Sequence, residues 1–247
     1  HEAGKLRFRK YVFETEEGIL VPALHFLTQR PQPFNLVLHV DGRGMAADTG
    51  PGSLIDRQIE VGNEVLAIDV RGFGETAPAP LPAKPGYFGV DFRNSYLALH
   101  LNRPLLGQRV YDVLSVMAYL QGEQTTFARS VYLWGIHAGG PVALHAGVLD
   151  ARFKGVVTNH SILSWADVVR SPITLNQLTN VVPGALRYYD LPDLAALMAP
   201  RYMTVQEPVS PTLERVNQAA LEEAYARAAK VYANHAGKLG LYAEVAK

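Results

Sequence analysis

The sequence predicts an α/β fold in which helices cover both faces of a mostly parallel β-sheet. Three observations predict it. Short apolar runs alternate with helical patterns along the chain. Most of these runs are continuously apolar, which is typical of strands buried on both faces. Two glycine turns, 72–74 and 135–139, directly follow apolar runs. With 247 residues, 48% of them hydrophobic, the chain can bury one large core, and we predict a single domain over 1–247.

Eight strands are predicted. Residues 6–15 and 19–27 both alternate between apolar and polar side chains, and the turn Glu16-Glu17-Gly18 between them predicts an antiparallel hairpin. The remaining six strands are the apolar runs 35–40, 65–70, 131–134, 155–159, 202–205 and 239–245. Their separation by helical segments predicts parallel pairing.

Helices are predicted over 53–61, 109–120, 141–149, 191–198 and 213–232. In the second of these, apolar residues recur at helical spacing, and Arg109 and Asp112 are expected to form a local ion pair. Residues 76–107 contain five prolines and show no clear period. We predict that this stretch is a lid-like excursion over the sheet, where a substrate loop would lie.

The turn Gly135-Ile136-His137-Ala138-Gly139 joins the strand 131–134 to the helix 141–149. A strand, a turn with these two glycines and a helix are the setting of the nucleophile elbow Gly-x-Ser-x-Gly, which presents a serine on a sharp turn. Here His137 stands at the serine position. The sequence therefore predicts elbow geometry without the usual nucleophile.

Further motifs extend this likeness. The segment Asp69-Val70-Arg71-Gly72-Phe73-Gly74-Glu75-Thr76 is similar to the Asp-x-Arg-Gly-x-Gly-x-Ser/Thr turn of α/β-hydrolases. Residues 108–112, 190–194 and 199–201 resemble matching stretches of acetylxylan-esterase-like carbohydrate esterases. From Leu6 to Val245 the chain therefore resembles this group. The resemblance implies the α/β-hydrolase fold, an ester-hydrolase ancestry, no cofactor and an extracytoplasmic location.

The catalytic triad that the resemblance implies is not matched. His137 replaces the serine, and Glu207 is a candidate for the acid because Ser210 stands near the expected aspartate. The family histidine follows the eighth strand, where this sequence has none. An acyl-enzyme route needs a hydroxyl or thiol activated by a base. The sequence offers no serine placed for that role and contains no cysteine.

Three histidines lie at or just after the ends of predicted strands. His39, His137 and His160 belong to strands that are neighbours in this fold, at the edge where ligands collect. One hypothesis is that His137 acts as general base for a water molecule, with His160 or Glu207 orienting it. Another is that the three imidazoles hold a zinc ion with an open position. A third is a vestigial pocket without chemistry.

The segment Asp41-Gly42-Arg43-Gly44 follows the third predicted strand, where hydrolases carry their oxyanion loop. The N–H groups of Gly42 and Ala138 are predicted to form an anion-binding nest. Asp41 and Arg43 are candidate substrate-binding residues. An ordinary strand-to-helix loop is the competing interpretation.

Composition narrows the possible partners. The 23 basic and 23 acidic residues balance, so we expect neither nucleic acid nor a membrane surface as partner. We expect a small ester or a glycan as the ligand. We also expect the protein itself to be soluble. Three functions stay open: an esterase with a histidine-activated water, a catalytically inactive esterase-like domain that binds a glycan or docks to another domain, and a metal-dependent hydrolase.

Overall fold

The computed structural model describes residues 2–3, 6–30, 33–78, 91–122 and 128–245. Within these ranges the chain forms nine strands. They are β1 (Glu2–Ala3), β2 (Leu6–Glu16), β3 (Ile19–Leu27), β4 (Phe34–Asp41), β5 (Glu64–Ile68), β6 (Ala128–Ile136), β7 (Phe153–Asn159), β8 (Tyr202–Gln206) and β9 (Leu239–Tyr242).

The strands form one sheet in the order β1-β2-β3-β5-β4-β6-β7-β8-β9. The hairpin β2–β3 is antiparallel, and β3 also pairs antiparallel with β5. From β5 to β9 every pairing is parallel. All eight predicted strands are present, and the two-residue β1 adds a ninth at the edge. The mostly parallel sheet predicted from the sequence is confirmed.

The parallel strands end in register at one edge of the sheet. Asp41 of β4 pairs with Ile136 of β6, which pairs with Asn159 of β7. Asn159 pairs with Gln206 of β8 in the same row. The residues that follow these four strand ends therefore lie side by side at one edge of the sheet. The candidate site lies at this edge.

Eight α-helices connect the strands in the described ranges. They are α1 (Leu54–Glu60), α2 (Phe92–His100), α3 (Leu105–Gly122), α4 (Gly139–Leu149), α5 (Trp165–Arg170), α6 (Leu191–Leu197), α7 (Gln218–Ala224) and α8 (Ala226–Tyr232). Four of the five predicted helices lie within four residues of their predicted bounds. None of the helices in the described ranges is long and apolar enough to cross a membrane.

The single helix predicted over 213–232 is wrong. The Asn217 side chain accepts a hydrogen bond of 2.9 Å from Ala220 N–H and starts α7 there, since an amide oxygen at this position satisfies a free helical donor. Tyr225 then interrupts the helix before α8. The helices α2 and α5 were not predicted. Residues 79–90 of the predicted lid lie outside the described residues, so its role stays a prediction.

The core lies on both faces of the sheet. In β4, Leu36, Leu38 and Val40 pack into a large cluster with buried residues of α3, α4 and α6. Val37, between them, belongs to a smaller cluster on the other face with Ile55 of α1. This alternation is the period of two expected of a strand whose faces are both covered.

Ion pairs of Arg71, which is partly buried, and of Arg109 hold the glycine turn after β5. Arg71 donates from Nε to Asp112 at 2.8 Å, and Thr15 donates to the same carboxylate at 2.7 Å. Arg109, which is fully buried, pairs instead with Asp91. The predicted local pair of Arg109 with Asp112 is therefore wrong, because each residue finds a partner that is distant in sequence.

Candidate functional site

The turn 135–139 has the geometry of an elbow. A Cβ on Gly135 would lie 2.4 Å from Gly139 O, and a Cβ on Gly139 would lie 2.0 Å from Val40 O. Only glycine permits these approaches. Between them His137 has a φ of 51°, which is unusual for a residue with a side chain and turns that side chain outward from the sheet edge. The strained position that presents a serine in an elbow here presents an imidazole.

Two further strands are each followed by a polar residue with a positive φ, as β6 is followed by His137. His160 follows β7 with a φ of 48°, and Glu207 follows β8 with a φ of 46°. Each residue's N–H donates to the neighbouring strand: His137 to Asn159 O at 3.0 Å, His160 to Gln206 O at 3.1 Å and Glu207 to Tyr242 O at 2.7 Å. Three polar side chains are thus placed side by side.

His160 is held by two neighbours. Its Nδ1 lies 2.6 Å from Asn159 Oδ1 and 3.7 Å from Glu207 Oε2. A neutral imidazole that donates from Nδ1 keeps its lone pair on Nε2. The ring of His160 is therefore held with Nδ1 toward Asn159 and Glu207.

His137 lies beside His160 with ring centroids 5.5 Å apart. Burial lowers the pKa of His137, whereas the charge of Asp41 works in the opposite direction. The net shift is downward from the usual value of 6.5. His137 is therefore neutral at pH 7 and carries the lone pair that a general base requires.

Both imidazoles line a cavity of about 310 Å³, called here the main cavity. Its floor also includes Gly42, Arg43 and Ala138. A second cavity of about 410 Å³ lies alongside and shares Arg43, His137 and His160 with the first. The histidine pair therefore stands between two spaces, each large enough for a small organic group.

The loop after β4 offers fewer free donors than the sequence predicts. Gly42 N–H donates to Ile136 O at 3.0 Å, and Arg43 N–H donates to Asp41 Oδ1 at 2.8 Å. The prediction that Gly42 N–H turns into the cavity is therefore wrong in this structure. Ala138 N–H has no acceptor among the described residues and is the backbone donor left for a negative oxygen.

Asp41 and Arg43 bind each other. The guanidinium of Arg43 donates to both carboxylate oxygens, with Nη2 2.6 Å from Oδ2. Asp41 is fully buried, whereas about half of the Arg43 side chain is exposed. Asp41 therefore holds Arg43 in place, and Arg43 is the member of the pair that faces both cavities.

His39 does not join the other two histidines. It alternates with Leu38 and Val40 along β4, so its side chain lies on the face of Val37, and it is 1% exposed. Neither ring nitrogen has a hydrogen-bond partner among the described residues. No group of three or more His, Asp or Glu side chains in the described ranges could hold a metal ion. The zinc site predicted from His39, His137 and His160 is therefore wrong.

No serine among the described residues lines the main cavity, and Ser53, which lines the second cavity, caps α1 by accepting a hydrogen bond from Asp56 N–H. Ser161, next to His160, is buried, and its Oγ packs where a Cβ on Gly140 would stand. Ser210 Oγ bonds to Thr212 at 2.9 Å. Neither residue lines the main cavity.

The sequence did not indicate a further part of the main-cavity lining, the wall at 176–180. It is formed by Asn176, Gln177, Thr179 and Asn180, and Asp91 also lines the cavity. The only sequence signal for this wall was the density of carboxamides in 176–180, which carry no periodic pattern.

Comparisons with known proteins agree with this architecture. No protein-family model and no curated protein sequence matches the chain. A proposed acetyl xylan esterase from Bacteroides fragilis has a TM-score of 0.75 at 16% identity, covering 98% of this chain and 67% of that one. An acetyl xylan esterase from Paenibacillus sp. R4 has a TM-score of 0.56 at 16% identity, covering 98% and 84%. An esterase from Pyrococcus furiosus has a TM-score of 0.61 at 12% identity, covering 96% and 80%. The chain therefore has the α/β-hydrolase fold that its motifs predict.

Proposed function

We propose that this protein hydrolyses small carboxylic esters in the main cavity, with a water molecule activated by His137. The observation that carries the proposal is a neutral imidazole presented at the elbow, beside a backbone N–H of Ala138 that has no acceptor among the described residues. The structural similarity to acetyl xylan esterases supports an ester as substrate.

The reaction uses one proton acceptor and one oxyanion donor. His137 takes a proton from water while the water oxygen bonds to the ester carbonyl carbon. The negative oxygen that forms accepts a hydrogen bond from Ala138 N–H. When the tetrahedral intermediate collapses, the bond to the alcohol oxygen breaks and the His137 imidazolium returns the proton to that oxygen. The products are a carboxylic acid and an alcohol.

His160 and Glu207 are assigned to positioning, through the contacts that hold the ring of His160 beside His137. The imidazolium that forms at position 137 lies 5.5 Å, centroid to centroid, from the ring of His160. His160 is in turn linked to Asn159 and Glu207. The carboxylate whose charge acts on His137 is that of Asp41, which favours the imidazolium that forms there. Glu207 is therefore assigned a positioning role.

A second candidate function is ligand binding without turnover. The observation that favours it is the loop after β4, where the N–H groups of Gly42 and Arg43 are already used. A single oxyanion donor gives less stabilisation than the usual pair. In this case the domain would bind an ester or a glycan in the main cavity and release it unchanged.

Hydrolysis of 4-nitrophenyl acetate separates the two candidates. For the esterase we expect His137→Ala to lower kcat/KM by about 100-fold or more, which is the usual contribution of a general base. His235→Ala is the control, because His235 lies before β9 and lines neither cavity. A wild-type rate equal to that of buffer, or an unchanged rate in His137→Ala, would contradict the proposal.

A further inference from the structure

A cavity of about 370 Å³, called here the aromatic cavity, lies apart from the candidate site. It is lined by residues of β2, β3, β4 and β5 and of the last turn of α3. In β4 and β5 the lining residues stand near the beginning of the strands, whereas the candidate site lies where the parallel strands end. The aromatic cavity shares no lining residue with the main cavity or the second cavity. The proposed hydrolysis therefore gives it no role.

The strand register places the lining residues on one face of the sheet. Arg9 of β2 is paired with His25 of β3, which is paired with Leu66 of β5. Side chains directly opposite one another, and side chains two residues apart along a strand, lie on the same face. Arg7 and Phe13 therefore project with Arg9, and Phe13 belongs with Leu66 to the large cluster that α3 covers. One face of four strands thus carries the cavity.

Aromatic rings form a continuous row along this cavity. Tyr119 of α3 packs edge-on against Phe13, with ring centroids 5.0 Å apart. Tyr11 continues the row, 6.2 Å from the Phe13 ring and 6.0 Å from the His25 ring. Phe34 and four leucines also line the cavity. A flat apolar ring system fits this lining, because aromatic side chains pack well against a further ring in stacked or edge-on contact.

The charged residues of the aromatic cavity leave two cations without a counter-charge. Glu64 Oε2 lies 2.7 Å from His25 Nε2, so its carboxylate already has a partner. Arg7 and Arg9 also line the cavity, and both are exposed, which places them at its opening. Neither guanidinium forms an ion pair or a hydrogen bond with another residue in the part of the chain that the structure describes. The opening therefore offers two free cationic donor groups to an anion.

The spacing of Arg7 and Arg9 suits a single carboxylate. A strand rises about 3.3 Å per residue, so the two Cα atoms are roughly 6.6 Å apart on one face. Two long arginine side chains at this spacing can reach the same small anion, and the planar guanidinium matches the two oxygens of a carboxylate. A carboxylate also carries one charge, so it loses less hydration on entering a half-open site than a phosphate dianion does.

We propose that the aromatic cavity is a binding site for an aromatic carboxylate. The ring lies among Tyr11, Phe13 and Tyr119, and the carboxylate accepts hydrogen bonds from Arg7 and Arg9 at the opening. This site is separate from the proposed ester hydrolysis and does not depend on it.

The test is isothermal titration calorimetry of the whole chain with 2-naphthoate. We expect saturable binding of one molecule per chain. The amide 2-naphthamide has the same ring without the charge, and acetate has the charge without the ring, so we expect each to bind at least about tenfold more weakly. We expect Arg7→Gln and Arg9→Gln each to weaken 2-naphthoate binding by about tenfold, because hydrogen bonds between charged groups are among the stronger ones.

Lys10→Gln is the matched control. Lys10 follows Arg9 on the same strand and is also an exposed cation. It is paired with Leu24, which belongs to the cluster on the other face of the sheet, and it does not line the aromatic cavity. The control therefore removes the same charge from the same strand on the opposite face. We expect it to bind 2-naphthoate like the wild type, and we expect all three variants to keep the wild-type Tm because the replaced side chains are exposed.

Four results would overturn the proposal. The first is no saturable binding of 2-naphthoate. The second is equal affinity for 2-naphthamide, which would leave the arginines without a role. The third is equal weakening in Lys10→Gln and Arg9→Gln, which would show a general effect of surface charge. The fourth is binding that is lost in His137→Ala and kept in the arginine variants, which would place the ligand in the main cavity. We expect His137→Ala to bind 2-naphthoate like the wild type, so this site and the proposed esterase can fail separately.

Discussion

The contact between Gly42 and Ala138 predicts a large effect from one added methyl group. In Gly42→Ala the new Cβ would lie 2.7 Å from Ala138 Cβ and 2.9 Å from Ala138 N. Carbon atoms in ordinary contact are about 3.5–4.0 Å apart, so one of the two turns must move by roughly 1 Å. The elbow is fixed by the close approach of Gly139 to Val40 O. The strain therefore falls on the N–H group that we assign to the oxyanion.

Two magnitudes follow from this geometry. Overpacking of this size costs about 1–3 kcal/mol of folding free energy, and each kcal/mol lowers Tm by about 2–4 °C in a protein of this length. Displacing the donor lowers kcat by about 100-fold or more, because oxyanion stabilisation falls steeply with misplacement. The loss of activity should therefore greatly exceed what the loss of stability explains.

The assay compares Gly42→Ala with Gly50→Ala by thermal unfolding and 4-nitrophenyl acetate hydrolysis. Gly50 belongs to the same connection between β4 and α1, and a Cβ there meets no atom within 4 Å. We expect Gly50→Ala to resemble wild type in both measurements. If Gly42→Ala kept the wild-type kcat and Tm, the assigned contact and the role of Ala138 N–H would both be refuted.

Three further predictions concern nucleophile, pH and packing. An organofluorophosphonate should label no serine, since no described serine lines the main cavity and Ser53, in the second cavity, is engaged as the cap of α1; stoichiometric labelling by mass spectrometry would contradict this. Burial lowers the pKa of His39 below 6.5 in the folded protein, so as the pH falls the unfolded chain takes up this proton before the folded protein does. The contribution of His39 to the free energy of unfolding should be full above about pH 6.5 and fall below it by up to about 1.4 kcal/mol per pH unit. Urea unfolding of His39→Leu should show a flatter pH dependence. Asp112→Ala removes the buried carboxylate that accepts from Arg71 and Thr15, while Arg71 keeps its ion pair with Glu16, and should cost about 1–3 kcal/mol in urea unfolding. Asp167→Ala, from an exposed pair with Arg170, should cost less than about 1 kcal/mol; equal costs would contradict the packing.

Much of the fold was predictable because its signals are local. Continuous apolar runs predicted the strands, and parallel topology then placed the residues after β6, β7 and β8 side by side. The errors arose where a single side chain decides between alternatives. Asn217 starts a new helix inside the predicted long one, and Arg109 finds Asp91 rather than the nearer Asp112.

The candidate site was predictable only in part. The elbow motif predicts the position of His137, since its glycines determine the turn. The direction of His39 depends on its place in the alternation of β4, and one residue decides whether a side chain faces the cavity or the core. The wall at 176–180 is reached through a long non-repetitive connection, and no periodicity in the sequence predicts where such a segment packs.

The most direct test of water activation by His137 is the pH dependence of kcat/KM for 4-nitrophenyl acetate. Since burial lowers the pKa of His137 below 6.5, the neutral base persists to lower pH than that of a free imidazole. We expect a rate that is level from about pH 8 to about pH 6.5 and falls with a single protonation at lower pH. In His137→Ala that acid limb should disappear and the rate should lie near that of buffer. An acid limb that remains unchanged in His137→Ala would contradict the assignment of His137 as the base.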